Sequence, residues 1–181
     1  MIAIGLDLSL TSTGVAVFCD GQPIHNVAIT TDVKEGNHID RCLIIMRAIN
    51  SIIKDCHELP KVFNEDFAFG VSSRSSQLAT LGELNGIIKA MVFSRIKEHS
   101  IPVPIGTWKA FLKAGNLKKD AFKLVVFQKF GIECVTNDEA AAIGVADFGY
   151  AVATGKSFSG APLTKREQEV LKRFQKKNNK T

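Results

Sequence analysis

Met1-Ile-Ala-Ile-Gly5-Leu-Asp7-Leu-Ser-Leu-Thr11-Ser-Thr-Gly14-Val15 opens the chain, and its reading decides the fold. An apolar strand carries a lone carboxylate, Asp7, at its middle. Small hydroxyl residues lead to Gly14, and a second apolar run to Phe18 follows at once. A bare anion is costly to bury in such a strand unless a cation or hydrogen-bond donors meet it. Two readings are open. Asp7 is a turn-forming residue satisfied by the Ser9 or Thr11 hydroxyl, or it is a metal ligand or phosphate-site residue on the central strand of an α/β domain. The choice rests on whether other carboxylates arrive at the same place.

The rest of the chain bounds the answer. Its 181 residues suffice for one domain with a full core. No apolar run is long enough to span a bilayer, and no charged segment precedes a hydrophobic one at the N-terminus. The expectation is a soluble, cytoplasmic protein with no membrane partner, and its small size and Lys-rich end suit a phage or bacterial cytoplasm. Cys19, Cys42, Cys56 and Cys134 are scattered without a CxxC pair, which argues against a zinc ribbon or a disulfide framework. The net charge of +5 is unevenly placed. Eight of the 23 basic residues but only two of the 18 acidic ones lie from Gly155 onward. A near-neutral body thus carries a basic tail, a pattern that suggests contact with a polyanion or merely aids solubility.

In order, residues 1–9, 13–19 and 24–31 read as three strands with short links, an antiparallel meander turning at Asp20-Gly21. Residues 37–57 read as an amphipathic helix through Ile39, Leu43, Met46, Ile49 and Ile53, closed by Pro60. Residues 61–69 read as a fourth strand, interrupted by Glu65-Asp66. Glu65, Phe67 and Phe69 share one face of it. A strand lying between helices is expected to be central and buried on both faces, so an acid there is a second anomaly.

A polar loop, residues 70–76, leads to a long helix, residues 76–99, in which Gly82 and Gly86 lie four apart. Small residues there read first as tight packing within the domain, with a helix–helix dimer seam as the functional alternative. Residues 101–105 read as an edge strand because of Pro102 and Pro104. Two short basic helices follow, at residues 107–114 and 118–130, carrying Lys109, Lys113, Lys118, Lys119 and Lys123. Lys118-Lys119 at a helix start opposes the helix dipole, so solvent or an anion must compensate. Trp108, the only tryptophan, reads first as a packing residue, with contact to a ligand as the alternative. Thr136-Asn-Asp138-Glu139 precedes an Ala-rich helix to Thr154 that can lie close on a sheet. Asp138 by itself reads as a cap. Residues 155–181 read as a basic, partly disordered tail, with a capping box at Thr164 and Glu167 starting a helix of little core value and disorder after about Gln175.

Asp on strand one, Glu on strand four and Asp at the head of a late Ala-rich helix form an ordered pattern. It resembles the catalytic pattern of the RNase H-like nuclease superfamily. Gly5-Leu-Asp7-Leu-Ser-Leu-Thr-Ser-Thr-Gly14, Glu65 and Asn137-Asp138-Glu139-Ala-Ala-Ala142 resemble the RuvC-type Holliday junction resolvases over residues 1–154. The resemblance implies an α/β fold, an RNase H-like mixed sheet flanked by helices. It implies a homodimer that cuts four-way DNA junctions with Mg²⁺, or Mn²⁺, as cofactor. Asp7, Glu65 and Asp138 would be catalytic metal ligands, with Asp7 bridging two ions about 4 Å apart. Lys118 and Lys119, with Lys109, Lys113, Lys123 and Arg74, would hold backbone phosphates. Phe67 or Phe69 resembles an aromatic that stacks or wedges bases at the junction centre.

One departure stands out. The family pattern at the late helix is Asp-x-x-Asp, and the second position here is Ala141. Glu139 points about 100° away on an ideal helix and Asp147 lies more than two turns on, so neither is an obvious stand-in. Two accounts are open, an acid replaced to disarm the enzyme or a lineage that manages with three acids, and under either one weakened metal binding and reduced cleavage with persistent DNA binding are expected. Competing readings are a catalytically weak nucleic-acid-binding module of the same fold and an RNase H-type hybrid nuclease. An actin/hexokinase-type ATPase shares the first-strand pattern but needs two such domains and a second glycine-rich loop.

Overall fold

In a computed structural model, residues 1–66, 75–115, 117 and 119–178 are described. Three antiparallel strands lead, β1 (Ile2–Asp7), β2 (Ser12–Cys19) and β3 (Gln22–Thr30). Asp20 and Gly21 between β2 and β3 both take positive φ, +49° and +82°, as a two-residue hairpin turn of the I′ type requires. Helix α1 (His38–Lys54) starts at Asn37, whose carboxamide accepts from the Ile39 and Asp40 amides. Then come β4 (Lys61–Glu65), α2 (Ser75–Ile96) and β5 (Ile101–Val103). Four helices complete the chain: α3 (Ile105–Phe111), α4 (Lys119–Phe130), α5 (Asn137–Thr154) and α6 (Lys165–Asn178).

The sheet order is β3-β2-β1-β4-β5. Strands β1, β2 and β3 are antiparallel neighbours, while β1, β4 and β5 run parallel. This is the expected mixed sheet, with β1 central and β4 buried between its neighbours. The period of two sorts each strand between two cores. Ile2, Ile4, Leu6, Val15, Val17 and Val62 pack with the apolar stripes of α1 and α2 on one face. Ala3, Ala16, Phe18, Phe63 and Val103 pack with the later helices on the other.

Helix α5 lies almost in contact with the backbone of the sheet. A Cβ at Gly5 would run into the Ala142 carbonyl and the Ala146 backbone, and one at Gly14 into the Asp138 carbonyl. Glycine is required at both places by this close approach. On the helix side, Gly144 leaves room for the Trp108 ring and Gly149 for the Phe63 ring.

Four expectations need correction. Strand β4 is Lys61–Glu65 and Asp66 leaves it with its amide donating to the Val103 carbonyl, while residues 67–69 of the expected strand lie outside the described residues. Gly82 and Gly86 are exposed, and among the described residues no atom outside their own stretch of helix lies within 4 Å of where a Cβ would stand, so tight packing within the domain is not their role. The basic helix α6 contributes to the core: Leu171 and Phe174 are buried, and Phe174 meets Phe148 edge-on at 5.0 Å. Residues 176–178 continue that helix, and residues 179–181 lie outside the described residues. The four cysteines are free. Among the described residues, no helix is long and apolar enough to cross a membrane.

Candidate active site

The site begins with two neighbouring parallel strands. Leu6 of β1 pairs with Asn64 of β4, so Asp7 and Glu65 end adjacent strands side by side. Both share the parity of residues that face α5 (Ala3 and Phe63), which aims them at the same side of the sheet. Crevices outside the carboxyl ends of parallel strands are the usual ligand sites of open α/β sheets.

The third wall is the head of α5. Thr136 is its N-cap, accepting from the Glu139 amide at 3.1 Å, while the Glu139 carboxylate accepts from Val135 and Thr136 at 2.7 and 3.1 Å. This capping box accounts for Glu139 and leaves Asp138 without a capping duty, correcting the reading of Asp138 as the cap. Gly14, opposite Asp7 in the β1–β2 register, seats the Asp138 backbone directly against the sheet. Asp7, Glu65, Asp138 and Ala141 therefore line one open cleft of about 310 Å³. Ala141, only 8% exposed, forms its wall one turn into the helix. The positive end of the α5 dipole favours anions there.

Trp108 has a second role beyond packing. Its ring is 1% exposed, meets Phe122 edge-on at 4.9 Å, and donates its indole N–H to Glu65 Oε2 at 3.0 Å. A fixed donor on a carboxylate oxygen holds that side chain in one orientation. Lys109 also lines the cleft, with Nζ 5.5 Å from the Trp108 ring centroid. Asn137, another lining residue, has a buried Oδ1 without a hydrogen-bond partner. Sequence reasoning misses Asn137, whose signal is its place one turn before Ala141. For Trp108 it leaves packing and ligand contact open and misses the bond to Glu65, because an aromatic residue in a short amphipathic helix reads first as core.

The other acids and cations fall elsewhere. The Ser9 and Thr11 hydroxyls bond each other at 3.2 Å, and Thr13 Oγ1 donates to the Ser9 carbonyl at 2.6 Å. Asp147 is fully buried and accepts from Lys129 Nζ at 2.7 Å, with Glu167 3.9 Å from the same ammonium. Burial pushes the Asp147 carboxyl up from its ordinary range, against the opposing pull of Lys129. Asp147 is thus a core ion-pair residue and does not belong to the cleft lined by Ala141. Lys113 is exposed just after α3, and Lys123 donates to the Val135 carbonyl at 3.1 Å. Phe67, Phe69, Arg74 and Lys118 lie outside the described residues, as does the side chain of Lys119. Among the described residues, no group of three or more His, Cys, Asp or Glu side chains is gathered so that it could hold a metal ion by itself.

No protein-family model matches the chain, and neither does any curated protein. Solved structures do. A Thermus thermophilus RuvC in complex with a Holliday junction substrate superposes with a TM-score of 0.69 at 16% identity, covering 90% of this chain and 99% of that one. Another Thermus thermophilus RuvC structure gives 0.65 at 16% identity, covering 87% and 99%. Sheet order, helix placement and this likeness over nearly the whole chain agree: the protein has the RuvC-type, RNase H-like α/β fold.

Proposed function

We propose that this chain is a structure-selective endonuclease that binds four-way DNA junctions and hydrolyses their phosphodiester backbone as a homodimer. The observation that carries the reading is the convergence of Asp7, Glu65 and Asp138, from β1, β4 and the head of α5, on one open cleft of a RuvC-type fold.

The donor set fits a divalent ion of the Mg²⁺ class. All three side chains offer hard oxygen ligands, and Mg²⁺ is commonly held by one or two carboxylates while keeping several waters. An open cleft of this size has space for those waters. A closed cage made wholly by protein does not fit, since among the described residues no three acids are close enough together to hold an ion by themselves. Asp7 with Glu65 or Asp138 would hold the ion. A bound divalent ion supplies Lewis-acid stabilisation of the phosphoryl oxygens and a more acidic water.

The chain's own residues do the rest. Trp108 keeps the Glu65 carboxylate pointed into the cleft. Lys109 beside the acids, with Lys113, Lys119 and Lys123 nearby in sequence, draws the phosphate backbone in against the repulsion of three carboxylates. Ala141 lowers that repulsion and also removes a ligand, which favours substrate binding over cutting. The open face of α2 at Gly82 and Gly86 supports pairing with a second copy, which would give the two cleft copies that paired cuts need. Ala141 in the cleft wall also favours a second reading, a binding module of the same fold with little cleavage.

A labelled four-way junction and a duplex of the same sequence test both. Binding is read in EDTA, cleavage after Mg²⁺ or Mn²⁺ addition, and mass by light scattering. Junction preference, dimer mass and symmetric cuts are expected. Junction preference without cuts in either metal selects the binding module. Equal affinity for junction and duplex overturns the resolvase reading, and cutting of an RNA–DNA hybrid in its place selects the hybrid nuclease.

A further inference from the structure

Helix α3 is a ridge between two cavities. Its Ile105, Trp108 and Lys109 line the carboxylate cleft, while its Gly106, Thr107 and Ala110 line a second groove of about 360 Å³ on the other side. The same adjacency appears in β4, where Glu65 lines the cleft and the next residue, Asp66, lines the groove. A helix is about 10–12 Å across with its side chains, so the two cavities are near enough for one extended chain to run from the first into the second.

The far bank of the groove is α6. Arg173 and Lys177, four residues apart on one face, line it, and Arg166 falls on the same stripe at 3.6 residues per turn. The buried residues Glu167, Leu171 and Phe174 occupy the adjoining face, so core packing fixes which cations look into the groove. Both cations are exposed, and among the described residues neither belongs to a salt bridge. The floor is apolar, from Pro102, Pro104 and Val170. Pro102 sits in the edge strand β5 without an N–H, so the sheet edge there is a poor template for an added peptide strand. Asp66 is the acid of the groove and stands at its inner end, next to Glu65, leaving the α6 bank for negative charge.

We infer that this groove is a second nucleic-acid site, in which Arg173 and Lys177 hold backbone phosphates of the DNA strand running on from the carboxylate cleft across α3. The inference rests on the proposed nuclease reading for the identity of the strand. It gives α6 a duty beyond the core: it registers the substrate at a fixed distance from the acids. The sugar faces lie on the proline and valine floor, and the site reads no base edges, so its contribution is independent of sequence and sensitive to salt.

The test compares the parent, R173Q/K177Q and K165Q/K172Q by fluorescence anisotropy in EDTA, across a salt series, on a four-way junction and on duplex. Lys165 and Lys172 lie on α6 roughly 80–140° round from Arg173 and Lys177, so the second pair removes the same charge from a different face. Removing one cation from a backbone phosphate flattens the plot of log affinity against log salt by about 0.7–0.9. R173Q/K177Q is expected to flatten it by about 1.5 and to weaken binding about tenfold at 0.1 M salt, with K165Q/K172Q changing it by less than half as much. Equal effects of the two pairs, or none from R173Q/K177Q, overturn the groove site. The parent's preference for junction over duplex judges the nuclease reading separately. If that preference holds while the pairs behave alike, only the groove proposal falls. If it is absent while R173Q/K177Q alone flattens the duplex plot, the groove stands and the resolvase reading does not.

Discussion

Ala141→Asp should make the protein less stable in EDTA and more responsive to Mg²⁺. Ala141 is 8% exposed and lines the cleft with Asp7, Glu65 and Asp138, so an added carboxylate faces three others. A cleft of about 310 Å³ is as wide as a sphere about 8 Å across. At that separation two unit charges repel by about 2 kcal/mol at an effective dielectric constant of 20, and by about 0.5 kcal/mol in water. Three new pairs in an open cleft fall between these limits. After about 0.3–1 kcal/mol is regained from the N-terminal end of the α5 dipole, the net cost is about 2–4 kcal/mol.

For a domain of this size each kcal/mol shifts Tm by about 2–4 °C, so Tm in EDTA should fall by about 4–16 °C. A cation that binds the restored set at a hundred times its Kd returns about 2.7 kcal/mol, most of the loss. Scanning calorimetry of the parent and variant, in EDTA and across a Mg²⁺ series, reads both effects. Ala161→Asp, on an exposed turn, is the control. If Ala141→Asp melts no lower than the control and Mg²⁺ shifts all three proteins alike, position 141 does not belong to the carboxylate cleft, and the account of the missing acid is refuted.

Two further substitutions probe how the site is held. Trp108→Phe removes the 3.0 Å bond to Glu65 and part of a buried ring. It should cost about 2–3 kcal/mol in a denaturation curve and lower metal-dependent junction cleavage about 10–100-fold, with junction binding in EDTA nearly kept. A variant that loses stability but cuts at the parental rate would show that Trp108 only packs. Gly14→Ala drives a methyl into the Asp138 carbonyl and to 3.0 Å from the Glu139 nitrogen. Those are backbone atoms, so α5 must lift from the sheet, at about 1–3 kcal/mol and with cleavage abolished. Gly82→Ala, which meets open space, should leave the monomer no less stable, and equal losses from the two would contradict the close seating of α5.

Asp7 and Glu65 stand out as candidates because each is an acid in a strand that is otherwise mostly buried. Asp138 by itself reads as a cap, and only the ordered pattern shared with the resolvases marks it, whereas the structure gives the cap to Thr136. The strand order followed from short links among the first three strands and a helix before the fourth. What stayed hidden is also explicable. The bond from Trp108 to Glu65 joins residues 43 apart, and nothing local distinguishes a buried Trp with a functional N–H from one that fills space. Helix α6 looked dispensable because eleven of its fourteen residues, Lys165 to Asn178, are polar. Its core stripe is only Glu167, Leu171 and Phe174, one of them a carboxylate that completes the Thr164 capping box at 2.8 Å. Gly82 and Gly86 were readable as a close approach, but their outward direction depends on which flank of α2 the sheet takes.

The composition of α5 ties these points together. A helix this small in its side chains can press its backbone onto Gly5 and Gly14, and that seating places residues 137, 138 and 141 at the ends of β1 and β4. The same helix carries Gly144, which admits the Trp108 ring, which in turn holds Glu65. Core packing and site assembly are therefore one set of interactions, and loosening α5 would disperse the acids before it unfolded the sheet. Within that frame an alanine at 141 keeps the close seating that the helix needs and holds the charge of the cleft at three carboxylates rather than four. On the proposed nuclease reading, an acid at 141 would serve cleavage at a cost in stability, whereas alanine serves stability and phosphate approach. On that reading this chain stands on the second side of the exchange, and the extent of its cutting would rest on Asp7, Glu65 and Asp138.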